Sequence, residues 1–114
     1  MKTAREDFLD SVIITAVEGG IGYWSRVRNY RWSDDGPTSV EIMEDEEPTW
    51  HLVDRDVIRK GLRLIAQPES PINLHESYRQ DIARASRANE GGDIDATLAD
   101  IIVQCAVLGE VVYG

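Results

Sequence analysis

Glu18-Gly19-Gly20-Ile21-Gly22-Tyr23-Trp24-Ser25-Arg26-Val27-Arg28-Asn29-Tyr30-Arg31-Trp32 is the stretch in which one periodicity gives way to another. Upstream, Phe8, Leu9, Val12, Ile13, Ala16 and Val17 recur at helical spacing, which puts them on one face of an amphipathic helix over residues 4–18. From Tyr23 to Trp32, period-two alternation predicts a strand. It places Trp24, Arg26, Arg28, Tyr30 and Trp32 on one face and Tyr23, Ser25, Val27, Asn29 and Arg31 on the other. Gly19 and Gly20 are expected to end the helix, because glycine takes the left-handed conformation that satisfies the last carbonyls; Gly22 adds a second point of freedom. The other reading of these glycines, a phosphate cradle, is disfavoured. A phosphate loop follows a strand and opens a helix, the reverse of the order here.

Working outward, Ser33-Asp34-Asp35-Gly36-Pro37-Thr38 is rich in turn formers and a second strand resumes over residues 39–44, so an antiparallel hairpin is the simplest topology. In it, arginines opposite Glu41 would form cross-strand ion pairs. Residues 49–53 read as a third strand or as the lead-in to a helix. Asp54 is the expected N-cap of that helix, which carries Val57, Ile58, Leu62, Leu64 and Ile65 inward until Gln67-Pro68-Glu69-Ser70-Pro71 breaks it. A third helix is expected from about Leu74 to Ala88, beginning near Asn73, with Tyr78, Ile82 and Ala85 as a sparse apolar stripe. Glu90-Gly91-Gly92 ends it, and Asp93 or Asp95 caps the last helix. That helix holds Ile94, Leu98, Ile101, Ile102, Cys105 and Leu108, is the most apolar of the set, and stops at Gly109. The tail Glu110-Val111-Val112-Tyr113-Gly114 is β-prone and suited to a sheet edge, in its own subunit or in a second copy. The expected fold is therefore α+β: one domain over residues 1–114, with an antiparallel β-hairpin or small sheet packed against about four helices.

A chain of 114 residues buries enough apolar surface to fold without disulfides or a structural metal. The start, Met-Lys-Thr-Ala-Arg-Glu-Asp-Phe, sets acids where a secretion signal needs apolar residues, and a cytoplasmic protein with no membrane partner is expected. Cys105, the single cysteine, lies in an apolar run and reads as a buried, unreactive thiol. The formal net charge is −9, which opposes direct binding to nucleic acid. Its distribution is uneven. Asp34, Asp35, Glu41, Glu44, Asp45, Glu46 and Glu47 fall in residues 34–48 without a base, whereas Arg26, Arg28 and Arg31 fall in residues 21–33 without an acid.

Few residues carry a recognisable chemistry. His51 and His75 lack the spacing of a helical metal pair, and Glu44 to Glu47 lack the alternation of oxygen ligands around a glycine that a calcium loop requires. Asp93 and Asp95 suit helix capping, and Asp100 is expected to face away from the core stripe. No cofactor, metal site or catalytic residue is expected, and the chain does not read as an enzyme. The Trp24, Arg26, Arg28, Tyr30, Trp32 face has two readings. It is a binding surface of residue types that concentrate interface energy, or its tryptophans pack under a helix while its arginines reach the neighbouring acids.

The phrase Thr15-Ala16-Val17-Glu18-Gly19-Gly20-Ile21-Gly22-Tyr23-Trp24-Ser25 and the run from Gly92-Asp93-Ile94-Asp95-Ala96 to Gly109-Glu110-Val111-Val112-Tyr113-Gly114 resemble small acidic proteins of actinobacteria and their phages and plasmids. That group has no assigned activity, so the resemblance implies a mobile-element origin and transfers no active-site residue. By analogy of size and charge with small acidic phage proteins, the expected function is binding to a basic, nucleic-acid-binding or defence protein and inhibiting it by charge mimicry. Asp34, Asp35, Glu41, Glu44, Asp45, Glu46 and Glu47 would stand in for phosphates, with an aromatic between Trp24 and Trp32 as anchor. The alternative is a self-associating accessory protein, a homodimer paired through the tail or the hairpin edge.

Overall fold

Thr3 begins the first helix by reciprocal capping: its Oγ1 accepts the Glu6 N–H at 3.0 Å, while Glu6 Oε1 accepts the Thr3 N–H at 2.9 Å. The computed structural model describes residues 1–67, 69 and 72–114. Helix α1 (Ala4–Thr15) buries Phe8, Leu9, Val12 and Ile13, and the chain stays helical beyond it. Ala16–Gly20 forms a π-helical turn, closed by the Ile21 N–H on the Ala16 carbonyl at 3.1 Å. The expected left-handed glycine stop at Gly19-Gly20 is thereby corrected, since neither residue has a positive φ. Gly20 is needed for proximity instead. A Cβ there would lie 2.9 Å from the Ala96 carbonyl oxygen, so glycine lets the end of this helix touch the start of the last one.

Three antiparallel strands follow, β1 (Ser25–Ser33), β2 (Gly36–Glu44) and β3 (Trp50–Val53), in the order β1-β2-β3. The hairpin is as the sequence predicts, and of the two readings left open for residues 49–53 the structure takes the strand. Val27, Ile42 and His51 lie side by side across the sheet, as do Arg28, Glu41 and Leu52 on the opposite face. From Arg28 to Arg31 strand β1 advances three residues while β2 moves only from Glu41 to Ser39, which is a bulge. Asn29 takes a left-handed φ of 51° there, a conformation asparagine tolerates. The single face expected for Trp24, Arg26, Arg28, Tyr30 and Trp32 is corrected on two counts. The bulge turns Tyr30 to the core side, where it is half-buried, and Trp24 precedes the strand and is itself buried.

Asp54 caps α2 (Arg55–Ala66), its carboxylate accepting the Val57 N–H at 3.0 Å. The break after Ala66 falls where expected, with Gln67 extended; Pro68, Ser70 and Pro71, to which part of that break was assigned, lie outside the described residues. Helix α3 (Glu76–Ala88) starts later than Asn73, at an N-cap formed by His75, whose Nδ1 accepts the Ser77 N–H at 3.1 Å. It ends on Asn89 with φ 54°, before a short 3-10 turn at Gly91–Asp93. Helix α4 (Ala96–Leu108) is capped by Asp95 and stopped by left-handed Gly109, φ 80°. Every residue from Leu98 to Ala106 is buried, so α4 is the centre of the core and has almost no solvent face. Glu110–Gly114 forms no strand, contrary to the β-edge expectation. Cys105 is fully buried, and burial pushes its thiol up to about 11.

Two close fits hold the layers together. Gly61 lies against α4, where a Cβ would approach Ala106 Cβ and the Ile102 carbonyl oxygen to 2.8 Å. Asp10, 1% exposed, accepts from Arg55 Nε at 2.8 Å, Arg55 Nη2 at 2.9 Å and Lys2 Nζ at 3.0 Å, joining α1, α2 and the N-terminus. Gly36, at φ 129°, packs on this cluster and seats the hairpin turn, because a Cβ would stand 3.0 Å from Asp10 Oδ2.

Gly61→Ala gains helix propensity of up to ~1 kcal/mol but overpacks α2 on α4, so a net loss of about 1–2 kcal/mol is expected in urea unfolding. For Asp10, burial alone would raise the carboxyl pKa, but Arg55 and Lys2 outweigh it and hold the group below the ordinary carboxylate range. The stability it contributes is complete above that range and is lost as pH falls through the lowered value. Arg55→Ala leaves Lys2 as the remaining cation at Asp10, and is expected to cost about 2–3 kcal/mol and to shift acid unfolding to higher pH.

Candidate functional site

The π turn aims Tyr23 and Trp24 at the middle of α4, where two polar residues interrupt an apolar helix. Asp100, 8% exposed, accepts from Trp24 Nε1 at 2.8 Å and from the Tyr23 hydroxyl at 2.5 Å. One turn on, Gln104 is fully buried and donates Nε2 to Asp100 Oδ1 at 2.9 Å and to the Tyr113 carbonyl at 3.1 Å. Its Oε1 accepts the backbone N–H of Val112 at 2.8 Å and of Tyr113 at 2.9 Å. A side-chain amide thus does for the tail what a neighbouring strand would have done, satisfying backbone groups that burial would otherwise penalise.

The tail held this way lays Tyr113 flat on Trp24, with centroids 5.2 Å apart and planes 8° from parallel. The Tyr113 hydroxyl donates to Glu44 Oε1 at 2.7 Å at the end of β2. Between these groups is an open cavity of 440 Å³ lined by Tyr23, Trp24, Asp45, Glu46, Tyr113 and Gly114. Burial first, then the hydrogen bond to Asp100, pushes the Tyr23 phenol up to about 12. For Tyr113 the hydrogen bond to Glu44 leads, followed by burial and the charges of Glu44, Glu46 and Glu47, again to about 12. Both phenols stay protonated at neutral pH and give their O–H groups to Asp100 and Glu44, so the walls offer uncharged rings beside carboxylates. That combination favours a cation over an anion.

The expected site residues fall into separate groups. Trp24, Glu44, Asp45 and Glu46 meet at the cavity, with Glu47 exposed in the same turn. Arg26 lies 3.7 Å from Asp45. Arg28 pairs with Glu41 at 3.1 Å, the cross-strand bridge the sequence predicts, and its guanidinium stands 4.0 Å over the Trp50 ring. The Asn29 hydrogen bond first, then Arg28, holds the Glu41 carboxyl below its usual range. Tyr30 and Trp32 meet edge to face at 5.4 Å, with Trp32 half exposed. Asp34 and Asp35 occupy the turn at the far end of β2, roughly 25 Å along the strand from Glu44 by the usual rise per residue. The seven acids are therefore not one patch but two ends and a paired middle.

Asp100 corrects the reading that set it away from the core; Tyr113 enters the sequence reading only as part of a β-prone tail, and Gln104 does not enter it. A signal for the pair existed. Polar residues four apart inside an uninterrupted apolar helix have no solvent face to occupy and must find partners inside. Among the described residues no group of three or more His, Cys, Asp or Glu is placed to hold a metal ion, and no helix is long and apolar enough to cross a membrane. Compared with family models, curated proteins and solved structures, the chain gives no significant match.

Because the Tyr23 and Tyr113 phenols have folded pKa values above the unfolded one of about 10, they contribute stability below pH ~10 that disappears as pH rises to about 12. Spectrophotometric titration is expected to show three late tyrosines, because burial raises the Tyr30 phenol as well, and Tyr23→Phe should delete one of them. Gln104→Leu removes the hydrogen bonds that hold Val112 and Tyr113, and the near-ultraviolet circular dichroism of the Trp24–Tyr113 stack should collapse while helix content persists.

Proposed function

We propose that this protein is a binding module for a basic partner protein, and that a cationic side chain of the partner enters the cavity between Tyr23, Trp24 and Tyr113. The observation that carries this reading is that buried Trp24, stacked on half-buried Tyr113, lines one cavity with Asp45 and Glu46. An arginine or lysine there gains the ring faces and a carboxylate together, which is worth more than either in water. Glu46 and Glu47 are exposed and form no ion pair among the described residues, so they remain available to further cations of the same partner. The formal net charge of −9 adds long-range attraction to a basic surface and repulsion from nucleic acid.

This places the functional weight on the turn after β2 and the chain's tail rather than on all seven acids of residues 34–48. A nucleic-acid-binding or defence protein whose phosphate-binding arginines are occupied in this way would be inhibited, which is the form of charge mimicry this reading favours. Trp24 reports on the event directly. Titration with an arginine-rich peptide should change its fluorescence saturably and weaken steeply from low to high salt, and the Asp45→Asn/Glu46→Gln double variant should bind about tenfold more weakly. Tyr113→Ala should weaken it comparably. Affinity indifferent to salt and to both variants would contradict the proposal.

A further inference from the structure

A second cleft, sharing no residue with the aromatic cavity, opens where α1, α2 and α3 meet. It consists of an apolar hollow of 190 Å³ floored by Leu62, Ile65 and Ile82, with the small residues Ala66 and Ala83 leaving it open. A contiguous hollow of 250 Å³ shares Leu62, Ala66 and Ser86 with it and is walled by Arg5, Arg59 and Arg63, while Arg87 borders the apolar part. Neither hollow is lined by a carboxylate. In a chain whose formal net charge is −9, four arginines around one apolar floor are a local reversal of sign.

Arg5 is held ready rather than neutralised. Its Nη1 donates to the Ser86 carbonyl at 2.7 Å and to Asn89 Oδ1 at 3.1 Å, and its guanidinium lies 5.2 Å from the Phe8 ring centroid. The Nε and Nη2 edge, the one that grips a carboxylate with two hydrogen bonds, has no partner among the described residues. Burial first, then the like charge of Arg59, lowers the Arg5 pKa, which is the sign of a cation lacking a counter-ion. Arg59 pairs with Asp56, an exposed partner one turn away, and Arg63 and Arg87 form no ion pair among the described residues. Arg59 and Arg63 are four residues apart and so lie on the same face of α2.

We propose that this cleft docks an acidic peptide segment of a partner protein, with an apolar side chain lowered onto Leu62, Ile65 and Ile82 and flanking carboxylates paired with the arginines. A monocarboxylate amphiphile would satisfy the Arg5–Arg59 end and leave Arg63 and Arg87 alone, whereas a peptide carries several acids at once. Single-stranded nucleic acid also carries many anions, but its bases stack on aromatic rings, and the floor here is aliphatic. An apolar anchor between acids fits both the floor and the rim.

The test is fluorescence anisotropy with a labelled hexapeptide, Glu-Asp-Leu-Phe-Glu-Glu, and the full chain. Saturable binding is expected, lost when Leu-Phe is replaced by Ser-Ser, and weakened about tenfold or more by Arg59→Gln/Arg63→Gln. Ala83→Leu, which fills the hollow without removing charge, should weaken it as well. Arg59, Arg63 and Ala83 serve here because Arg5 also ties α1 to the end of α3, and circular dichroism checks that each variant is folded. Absence of saturable binding, or equal binding by Arg59→Gln/Arg63→Gln, would overturn the proposal. So would displacement by decanoate or by a single-stranded oligodeoxynucleotide at the peptide's own concentration, or a dimer of the protein alone that the arginine variant abolishes.

Discussion

A carboxylate inside the core, Asp100, governs how this chain closes on itself. Buried in the middle of an apolar helix, it has to be met by donors, and the donors are the Trp24 indole, the Tyr23 hydroxyl and the Gln104 amide. Each of these fixes something larger. Trp24 and Tyr23 bring the π turn and the start of β1 onto α4; Gln104, positioned by Asp100, takes the backbone of Val112 and Tyr113 in turn. The stretch where helix gives way to strand and the end of the chain are thus joined through two residues on one helix. Together these two stretches build one cavity.

The rest of the molecule manages charge around that closure. Asp10 is sealed between Lys2 and Arg55 at one end of the hairpin, and Arg28 and Glu41 neutralise one another on its outer face. What remains is segregated. Glu46 and Glu47 stand beside the aromatic cavity, while Arg5, Arg63 and Arg87 stand around a separate apolar cleft. Acids beside the aromatic cavity and arginines around the apolar cleft thus sit at separate places in a chain whose formal net charge is −9.

Much of the fold was legible because local signals agreed with the global answer. Turn formers at Ser33–Thr38 made the hairpin, Asp54 and Asp95 capped the helices they precede, and Gly109 took the left-handed stop. The reading went astray where a residue's role is set from across the structure. Gly20 and Gly61 are present for close helix contact rather than for turning, which no local pattern distinguishes. Asn29 broke the strand alternation through its tolerance of positive φ, so Tyr30 left the face to which simple period-two counting assigned it. The candidate site was half visible: Trp24 and the acids of residues 44–47 stood out by type, whereas Tyr113 and Gln104 matter through a tail that reads as a strand but is held by a side chain.

That closure is the basis of the functional account, because without it Tyr113 leaves Trp24 and there is no aromatic wall to receive a cation. Amide hydrogen exchange at Val112 and Tyr113 tests it most directly, since both N–H groups donate to the Gln104 side chain and to no strand. The account predicts that these two amides exchange slowly and together in the native protein, and that both lose protection in Asp100→Asn. Exchange of both at the rate of a free peptide in the unaltered protein would contradict it.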